Sequence, residues 1–123
     1  MSIRIDETLS VHERALSLRL QLSEILAANL ANESTPGFQA RDIDFGKEMQ
    51  RLEKRDSDAP LAAAGGGNPR LMFRVPSQPS QDGNTVELST EQAVFSRNSM
   101  DFQTSLTFVT MKFRGLKQAI EGR

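Results

Sequence analysis

The chain has 123 residues, enough for one domain with a modest core, and it contains no cysteine. Disulfides and thiolate metal sites are therefore excluded. A formal net charge of −1 gives no general attraction to nucleic acids or to anionic membranes. The sequence holds no apolar run as long as a membrane span, and its N-terminus lacks the apolar stretch of a cleavable secretory signal. If the protein leaves the cytoplasm, we expect it to use another export route.

Residues 1–34 are predicted to form an N-terminal core helix. Apolar or small residues recur with alternating spacings of four and three, which is typical of a helix that faces another helix. We expect this helix to begin at Asp6, Thr8 or a capping box at Ser10–Glu13 and to end near Asn32, with the residues before Thr8 disordered in isolation. The seam comprises Val11, Ala15, Leu18, Leu22, Ile25, Asn29 and Asn32.

Residues 35–88 are predicted to form an extended or irregular central region. The string Thr35-Pro36-Gly37-Phe38 is typical of a type II turn, because proline disfavours the helical conformation before it and glycine supplies the positive φ of the third position. The alternation over residues 39–45 predicts an extended segment, and residues 46–55 predict a short charged helix.

The second half of this region begins with an Ala-Gly linker at residues 60–69, whose composition offers nothing to bury. Leu71, Phe73 and Val75 then alternate with other residues and predict a short strand, and Asp82–Asn84 is a turn signal. Two structures remain open for this part: a small hairpin around that turn, or an irregular extended excursion.

Residues 89–123 are predicted to form a C-terminal core helix that starts with a capping box at Ser89–Gln92. Some thirty helical residues span roughly 45 Å, which is longer than a compact domain of this size needs. Residues 1–34 carry three basic and five acidic side chains, whereas residues 91–123 carry five basic and three acidic side chains. The opposite net charges favour pairing of the two helices; the alternative is that the imbalance is chance variation in small numbers. The second seam comprises Phe95, Ser99, Phe102, Leu106, Val109, Phe113, Leu116 and Ile120.

These patterns predict a mainly α fold, in which long N- and C-terminal helices pair as a coiled coil or helical bundle around an irregular or short β-containing centre. The three segments form one assembly unit. Two such seams on a short chain favour a part that packs against copies or relatives of itself. We predict that the assembly interface comprises Val11, Leu18, Leu22, Ile25, Asn29, Asn32, Phe95, Phe102, Leu106, Val109, Phe113 and Leu116.

Several residues have a functional and an ordinary interpretation. Asn29 and Asn32 either fix the register of the seam or end the helix. The single histidine, His12, has no second histidine or cysteine with which to share a metal. Asp42 and Asp44 are better explained by surface ion pairing than by acid-base catalysis. We expect no catalytic residues, no metal and no cofactor.

The string NLANESTPGF at residues 29–38 resembles the N-terminal signature of the bacterial flagellar rod and hook family of axial proteins. The strings ARDIDF, PSQDGNTV, SLTF and GLKQAI further along resemble the proximal rod members of that family in the basal body. The turn Thr35, Pro36, Gly37 and Phe38 belongs to the family motif.

This resemblance implies a non-enzymatic structural subunit, exported by the flagellar type III secretion apparatus and assembled into the periplasm-crossing rod that transmits torque. Its implied partners are other rod proteins, copies of itself, and ring and export-gate components of the basal body, with no nucleic acid and no small-molecule substrate. In axial proteins the terminal helices form an inner core and order on assembly. The alternative is a cytoplasmic helical adaptor or secretion chaperone; an enzyme is a distant third.

Overall fold

The computed structural model describes residues 5–58 and 69–122, with side chains for residues 9–54 and 69–122. Within these ranges the elements in chain order are α1 (Ile5–Ala31), β1 (Arg41–Asp42), α2 (Phe45–Asp58), β2 (Met72–Phe73) and α3 (Leu88–Glu121). The mainly α fold with long terminal helices and a small β-containing centre is thus confirmed. Most of the predicted Ala-Gly linker lies outside the described residues.

The two long helices, α1 and α3, pack as an antiparallel pair. The Asn29 side chain near the end of α1 bonds to Glu91 in the first turn of α3, and Arg19 bonds to Asn98. Toward the other end of the pair, Leu9 of α1 lies beside Phe113 of α3. The pair is therefore a long helical hairpin, closed at one end by the central region.

The apolar core lies at the closed end of the hairpin. The central region folds back there, so α2 and the segment before it cover side chains of α1 that α3 alone would leave exposed. Burying one leucine or isoleucine side chain stabilises the fold by roughly 1.5–3 kcal/mol. The buried residues are Leu18, Leu22, Leu26 and Ile43, with Ile25, Phe45, Met49, Val94 and Phe95 packed against them.

Both helices begin earlier than the sequence predicts. The helix α1 already includes Ile5, so the predicted disorder before Thr8 is wrong for the described residues 5–7. Because the helix starts upstream, Ser10 lies inside it, where its hydroxyl accepts a bond from Arg14 instead of capping. In α3 the N-cap is Glu87, which makes no side-chain capping bond. The predicted box at Ser89–Gln92 does not form.

The central region contains a two-stranded antiparallel sheet in which Arg41 pairs with Phe73 and Asp42 with Met72. The predicted strand is thus present but short. The predicted hairpin around Asp82–Asn84 does not form, because the chain after the turn bonds to the other long loop, with Thr85 N donating to Phe38 O over 2.9 Å. The irregular excursion is the arrangement observed.

The predicted short charged helix is confirmed as α2 (Phe45–Asp58). Its first turn is capped by Asp44, whose carboxylate accepts a bond from Lys47 N over 3.2 Å. An aspartate before the first turn satisfies an otherwise unpaired amide and complements the positive end of the helix dipole. This capping, together with a long 3.9 Å ion pair to Lys47, explains Asp44 without acid-base chemistry.

Candidate assembly interface

The C-terminal part of α3 exposes a series of large apolar side chains. Leu106, Phe113 and Ile120 are 47%, 54% and 85% exposed. A second row on the outer side of the same helix consists of Met100, Phe108 and Met111, which are 68%, 53% and 60% exposed. The described residues of a single chain leave both rows without cover. Contiguous exposed apolar surface of this kind marks an interaction site.

Two members of the outer row, Phe108 and Met111, lie in a stretch of α3, residues 102–111, that contains no charged residue. Its three threonines also present little polarity, because each hydroxyl donates to a backbone carbonyl four residues earlier over 2.9 Å. A helix that is apolar or internally satisfied around its circumference is typical of a buried position. This stretch therefore has the surface of a helix that is covered on more than one side.

An open apolar cleft of about 440 Å³ lies between the ends of α1 and α3. Leu9 lines it from α1, and the lining from α3 comprises Phe113, Leu116, Lys117, Ile120 and Glu121. Both helices line the cleft, so their apolar side chains do not close over one another at this end. The cleft joins the exposed apolar row of α3 to the start of α1.

The structure divides the predicted interface residues into three groups. Leu18, Leu22 and Asn29 are buried inside the single chain, with exposed fractions of 2%, 6% and 1%, and Ile25 is half-buried beside them. Val11, Leu106 and Phe113 are exposed. The remaining predicted residues are half-buried along the hairpin: Asn32, Phe95, Phe102, Val109 and Leu116.

The face of α3 that packs on α1 is rotated from the predicted seam. Glu91 and Asn98 are its buried residues, and half-buried Phe102, Ser105 and Val109 continue the same four-three spacing. The sequence-based seam shares Phe102 and Val109 with this face but follows an adjacent apolar row elsewhere. Of that row, Leu106, Phe113 and Ile120 are left exposed, whereas Phe95 packs against the core and Leu116 is half-buried.

A buried polar cluster joins α1, α3 and the central sheet. The Asn29 amide donates to Glu91 Oε2 over 3.1 Å and to Arg41 O over 2.7 Å, and Arg41 N donates back to Asn29 Oδ1 over 3.0 Å. Arg74 forms ion pairs with Glu91 and, over 2.7 Å, with Asp42. Glu91 is fully buried, and such a carboxylate is tolerated only when paired and hydrogen-bonded.

A second polar contact holds the middle of the hairpin. Asn98 donates to Arg19 O over 2.9 Å and to Ser23 Oγ over 2.8 Å, so both of its amide hydrogens are used. The Arg19 guanidinium lies 3.7 Å from the ring centroid of Phe45 and 3.5 Å from Asp101. This arrangement links α1, α2 and α3 around one cation, and a cation over a ring face is a favourable contact.

The family-motif turn at residues 35–38 has the predicted type II geometry. Gly37 has a φ of 73°, and Phe38 N donates to Thr35 O over 3.3 Å. The turn docks on the loop at residues 82–84, where Gly37 N donates to Asp82 O over 2.9 Å. The pKa of the Asp82 carboxyl is lowered because it accepts bonds from the Asn84 backbone and from the Ser80 hydroxyl.

Asn84 completes this contact by capping the end of α1. Its amide nitrogen lies 2.7–2.9 Å from the carbonyl oxygens of Asn32, Glu33 and Thr35, and its side-chain oxygen accepts from Val86 N over 2.8 Å. The Asn32 carbonyl, directly after the last helical residue, lacks a partner within the helix and needs such a donor, and the other two carbonyls belong to the turn that follows. Asn32 also belongs to this helix end, because its amide donates to Ala28 O over 2.7 Å.

Sequence analysis missed Arg74, Glu91, Asn84 and Asn98 as residues that hold the subunit together. A signal existed for two of them, since Glu91 and Asn98 extend the four-three spacing of Phe102 and Val109 toward the N-terminus of α3. A search limited to apolar residues passes over polar seam positions. Arg74 and Asn84 carry no comparable signal, because their partners lie on distant segments.

Within residues 5–58 and 69–122, no helix is both long enough and apolar enough to cross a bilayer. Across the same residues, no three histidine, aspartate or glutamate side chains are grouped so that they could hold a metal ion.

Comparisons with known proteins agree with this structural role. Residues 9–39 match the family model described as flagella basal body rod protein. The chain is 37% identical over 132 aligned positions to the flagellar basal body rod protein FlgB of Escherichia coli, covering 96% of each chain. Identity is 43% over 122 positions to FlgB of Cereibacter sphaeroides, covering 94% of this chain and 95% of the relative. Identity to FlgB of Aeromonas hydrophila is 37%, and the alignment covers 99% of this chain and 98% of the relative. The chain therefore belongs to the FlgB family of flagellar basal body rod proteins, and it is a structural subunit of that rod and not an enzyme.

Proposed function

We propose that the chain enters the rod by burying the exposed apolar face of its hairpin against neighbouring subunits. In this proposal it is exported unfolded by the flagellar type III apparatus, without a cleaved signal peptide. It then assembles in the part of the rod that crosses the periplasm and helps transmit torque. Its neighbours are copies of itself, other rod proteins, and ring and export-gate components of the basal body.

The observation that carries the proposal is the uncovered outer row of α3. Met100, Phe108 and Met111 are more than half exposed in the single chain, and Phe108 and Met111 lie in a stretch without any charge. Burial of apolar surface contributes roughly 25 cal/mol per Å². Several such side chains on each of many subunits supply a large total stabilisation without any single strong contact.

The proposed contact surface on α3 comprises the exposed and half-buried members of the predicted interface other than Phe95, which packs against the chain's own core, together with the outer row. They are Phe102, Leu106, Val109, Phe113 and Leu116, with Met100, Phe108 and Met111. Leu18, Leu22 and Asn29 contact the chain's own helices. For these three we propose an indirect role, which is to keep the hairpin in the shape that presents α3.

Transmission of torque requires that subunits resist rotation relative to one another. An antiparallel hairpin cross-linked by the Asn29–Glu91 and Asn98–Ser23 hydrogen bonds resists sliding of α1 along α3, because sliding would leave buried polar groups unpaired. The uncharged face can then bury apolar surface against neighbours without desolvating charges. Rigid subunits joined by wide apolar contacts form a stiff shaft.

The proposal is tested in a strain that lacks this chain and is complemented with variants. Met111→Asp and Phe108→Asp place a charge in the proposed interface, whereas Gln92→Asp places the same charge on an exposed position of α3 near the closed end. We expect the first two to abolish swimming and rod formation, while Gln92→Asp restores both. All three purified chains should unfold at similar temperatures. Normal basal bodies containing Met111→Asp and Phe108→Asp would refute the proposed interface.

A further inference from the structure

The strand β2 (Met72–Phe73) and its flanks form a second exposed apolar surface, remote from the outer row of α3. Leu71, Phe73 and Val75 are 47%, 64% and 88% exposed. Arg74, between them, turns the other way and reaches the buried Glu91. Because side chains alternate across a strand, one face of this segment is anchored in the molecule and the other is uniformly apolar and open.

Among the described residues, none makes a hydrogen bond to the backbone edge of β2 on the side away from β1. Arg74 N donates to Ala40 O over 2.9 Å, and Met72 pairs with Asp42, so these two residues direct their backbone groups toward β1. In an antiparallel ladder the intervening residues direct theirs to the opposite side. The N–H and C=O groups of Phe73, and of Leu71 and Val75 beside it, therefore face outward. An unpaired edge of this kind is a template for strand addition.

The charge around this edge is positive. Arg41 lies across from Phe73 in the sheet, with its guanidinium carbon 5.9 Å from the ring centroid, and Arg70 precedes the strand. Both side chains are exposed. Among the described residues, no carboxylate lies within ion-pair distance of either guanidinium. An incoming segment that carries carboxylates would supply the missing counter-charges.

The open edge is short. Pro69 and Pro76 bound it, and proline interrupts a ladder because it has no backbone N–H. Six residues lie between the two prolines, and at about 3.3 Å per residue they span roughly 20 Å. The site thus fits a peptide segment of about this length.

We propose that the free edge of β2 receives an extended, acidic segment of a different protein chain as a third strand of the sheet. A second copy of this chain pairing edge to edge would add its own Arg41 and Arg70 to the sheet and supply no carboxylate to neutralise them, so an acidic segment is the better match. The inference goes beyond the helical interface proposed above, because it concerns another surface and another kind of contact.

The test uses the full-length chain, labelled with ¹⁵N, and two eight-residue synthetic peptides at low salt. One peptide alternates valine with glutamate, and the other alternates valine with lysine. Amide shifts are followed during titration. We expect the acidic peptide to bind about tenfold more tightly or better, with the largest shifts at Phe73 and Val75, and to weaken as salt is added. The double variant Arg41→Glu/Arg70→Glu should reverse the preference.

A backbone substitution separates strand addition from simple charge attraction. Val75→Pro removes an outward N–H without touching the bonds to β1, so it should abolish binding of the acidic peptide, whereas the matched control Val75→Thr should retain it. Equal affinity for both peptides, shifts that map to α3, or unchanged binding by Val75→Pro would overturn the inference. So would concentration-dependent shifts at β2 without peptide, since these would show that a second copy occupies the edge.

The two proposals fail separately. Loss of peptide binding at β2 leaves the prediction for Met111→Asp intact, because that variant is assessed by rod formation. Conversely, a chain that assembles with Met111→Asp can still be titrated with the two peptides.

Discussion

Asn29 and Glu91, 62 residues apart in the sequence, share a buried hydrogen bond of 3.1 Å that fixes the register of the two long helices. Apolar leucine contacts alone permit a helix to slide by one turn at modest cost, because one leucine replaces another. A buried amide and carboxylate have only one favourable alignment, since any slip leaves both unpaired. The polar pair therefore specifies which residues of α3 remain on the outside.

The first prediction concerns Asn29 itself. Asn29→Ala should lower the free energy of unfolding by about 1–3 kcal/mol, because the Arg41 backbone and Glu91 lose a buried partner. Asn29→Asp should be worse, since it sets a second carboxylate beside Glu91. Equilibrium urea denaturation measures both. Gln50→Ala, on an exposed position of α2, serves as the control; if Asn29→Ala is no more harmful than this control, the register role is wrong.

The second prediction concerns the ion pair between Arg74 and Glu91. Arg74→Met should destabilise the chain by about 3–5 kcal/mol, because it leaves a fully buried carboxylate without its counter-charge. In the double variant, Glu91→Gln should restore part of the stability lost through Arg74→Met, because it removes the buried charge. A double-mutant cycle in urea should therefore show a coupling energy above about 1 kcal/mol. Strict additivity of the two single effects would show that the pair does not act as a unit.

The third prediction concerns the contact between the motif turn and the loop that follows β2. Asn84→Asp keeps the oxygen that accepts from Val86 N but removes the amide hydrogens that satisfy the end of α1. We expect a loss of about 1–3 kcal/mol and faster amide exchange in the last turn of α1. Gln81→Asp, an exposed neighbour in the same loop, should change neither quantity. Unchanged exchange in Asn84→Asp would mean that Asn84 does not cap the helix.

The fourth prediction concerns pH. The pKa of Glu87 is lowered below its ordinary value of 4.5 because the Ser77 hydroxyl and backbone N–H donate to its carboxylate. A lowered pKa in the folded state means that the contribution is fully present above about pH 4.5 and is lost as pH falls through the folded value. The stability advantage of the native chain over Glu87→Gln should therefore shrink as the pH is lowered below about 4.5, as measured by thermal unfolding. An advantage that is constant or grows on acidification would contradict the assignment.

The sequence allowed the helices, the motif turn and the family to be predicted because each rests on local information. A proline followed by glycine sets the turn at residues 36–37 wherever the rest of the chain lies. The four-three spacing likewise identifies a helix that packs on one side. These signals depend on neighbours within about one turn, which a single sequence contains.

The exact face of α3 and the polar cluster could not be predicted because they depend on long-range partners. Glu91 resembles a helix-capping residue until Arg74 and Asn29 are placed beside it. The predicted seam and the face that packs on α1 share Phe102 and Val109, so periodicity cannot decide which of the two sets of residues meets α1. The buried Asn98 shows which face of α3 meets α1, because its side chain bonds to Arg19 and Ser23 of that helix.

The most direct test of the central claim is solvent access at Met111. The chain contains no cysteine, so Met111→Cys introduces a single thiol on the outer row of α3. Its reaction with a maleimide is compared in the purified monomer and in basal bodies isolated from a motile complemented strain. We predict rapid labelling of the monomer and at least a tenfold slower reaction in the rod. A tenfold difference corresponds to a free-energy cost of about 1.4 kcal/mol for exposing the side chain in the rod. Equal rates in both states would contradict the burial of this face on assembly.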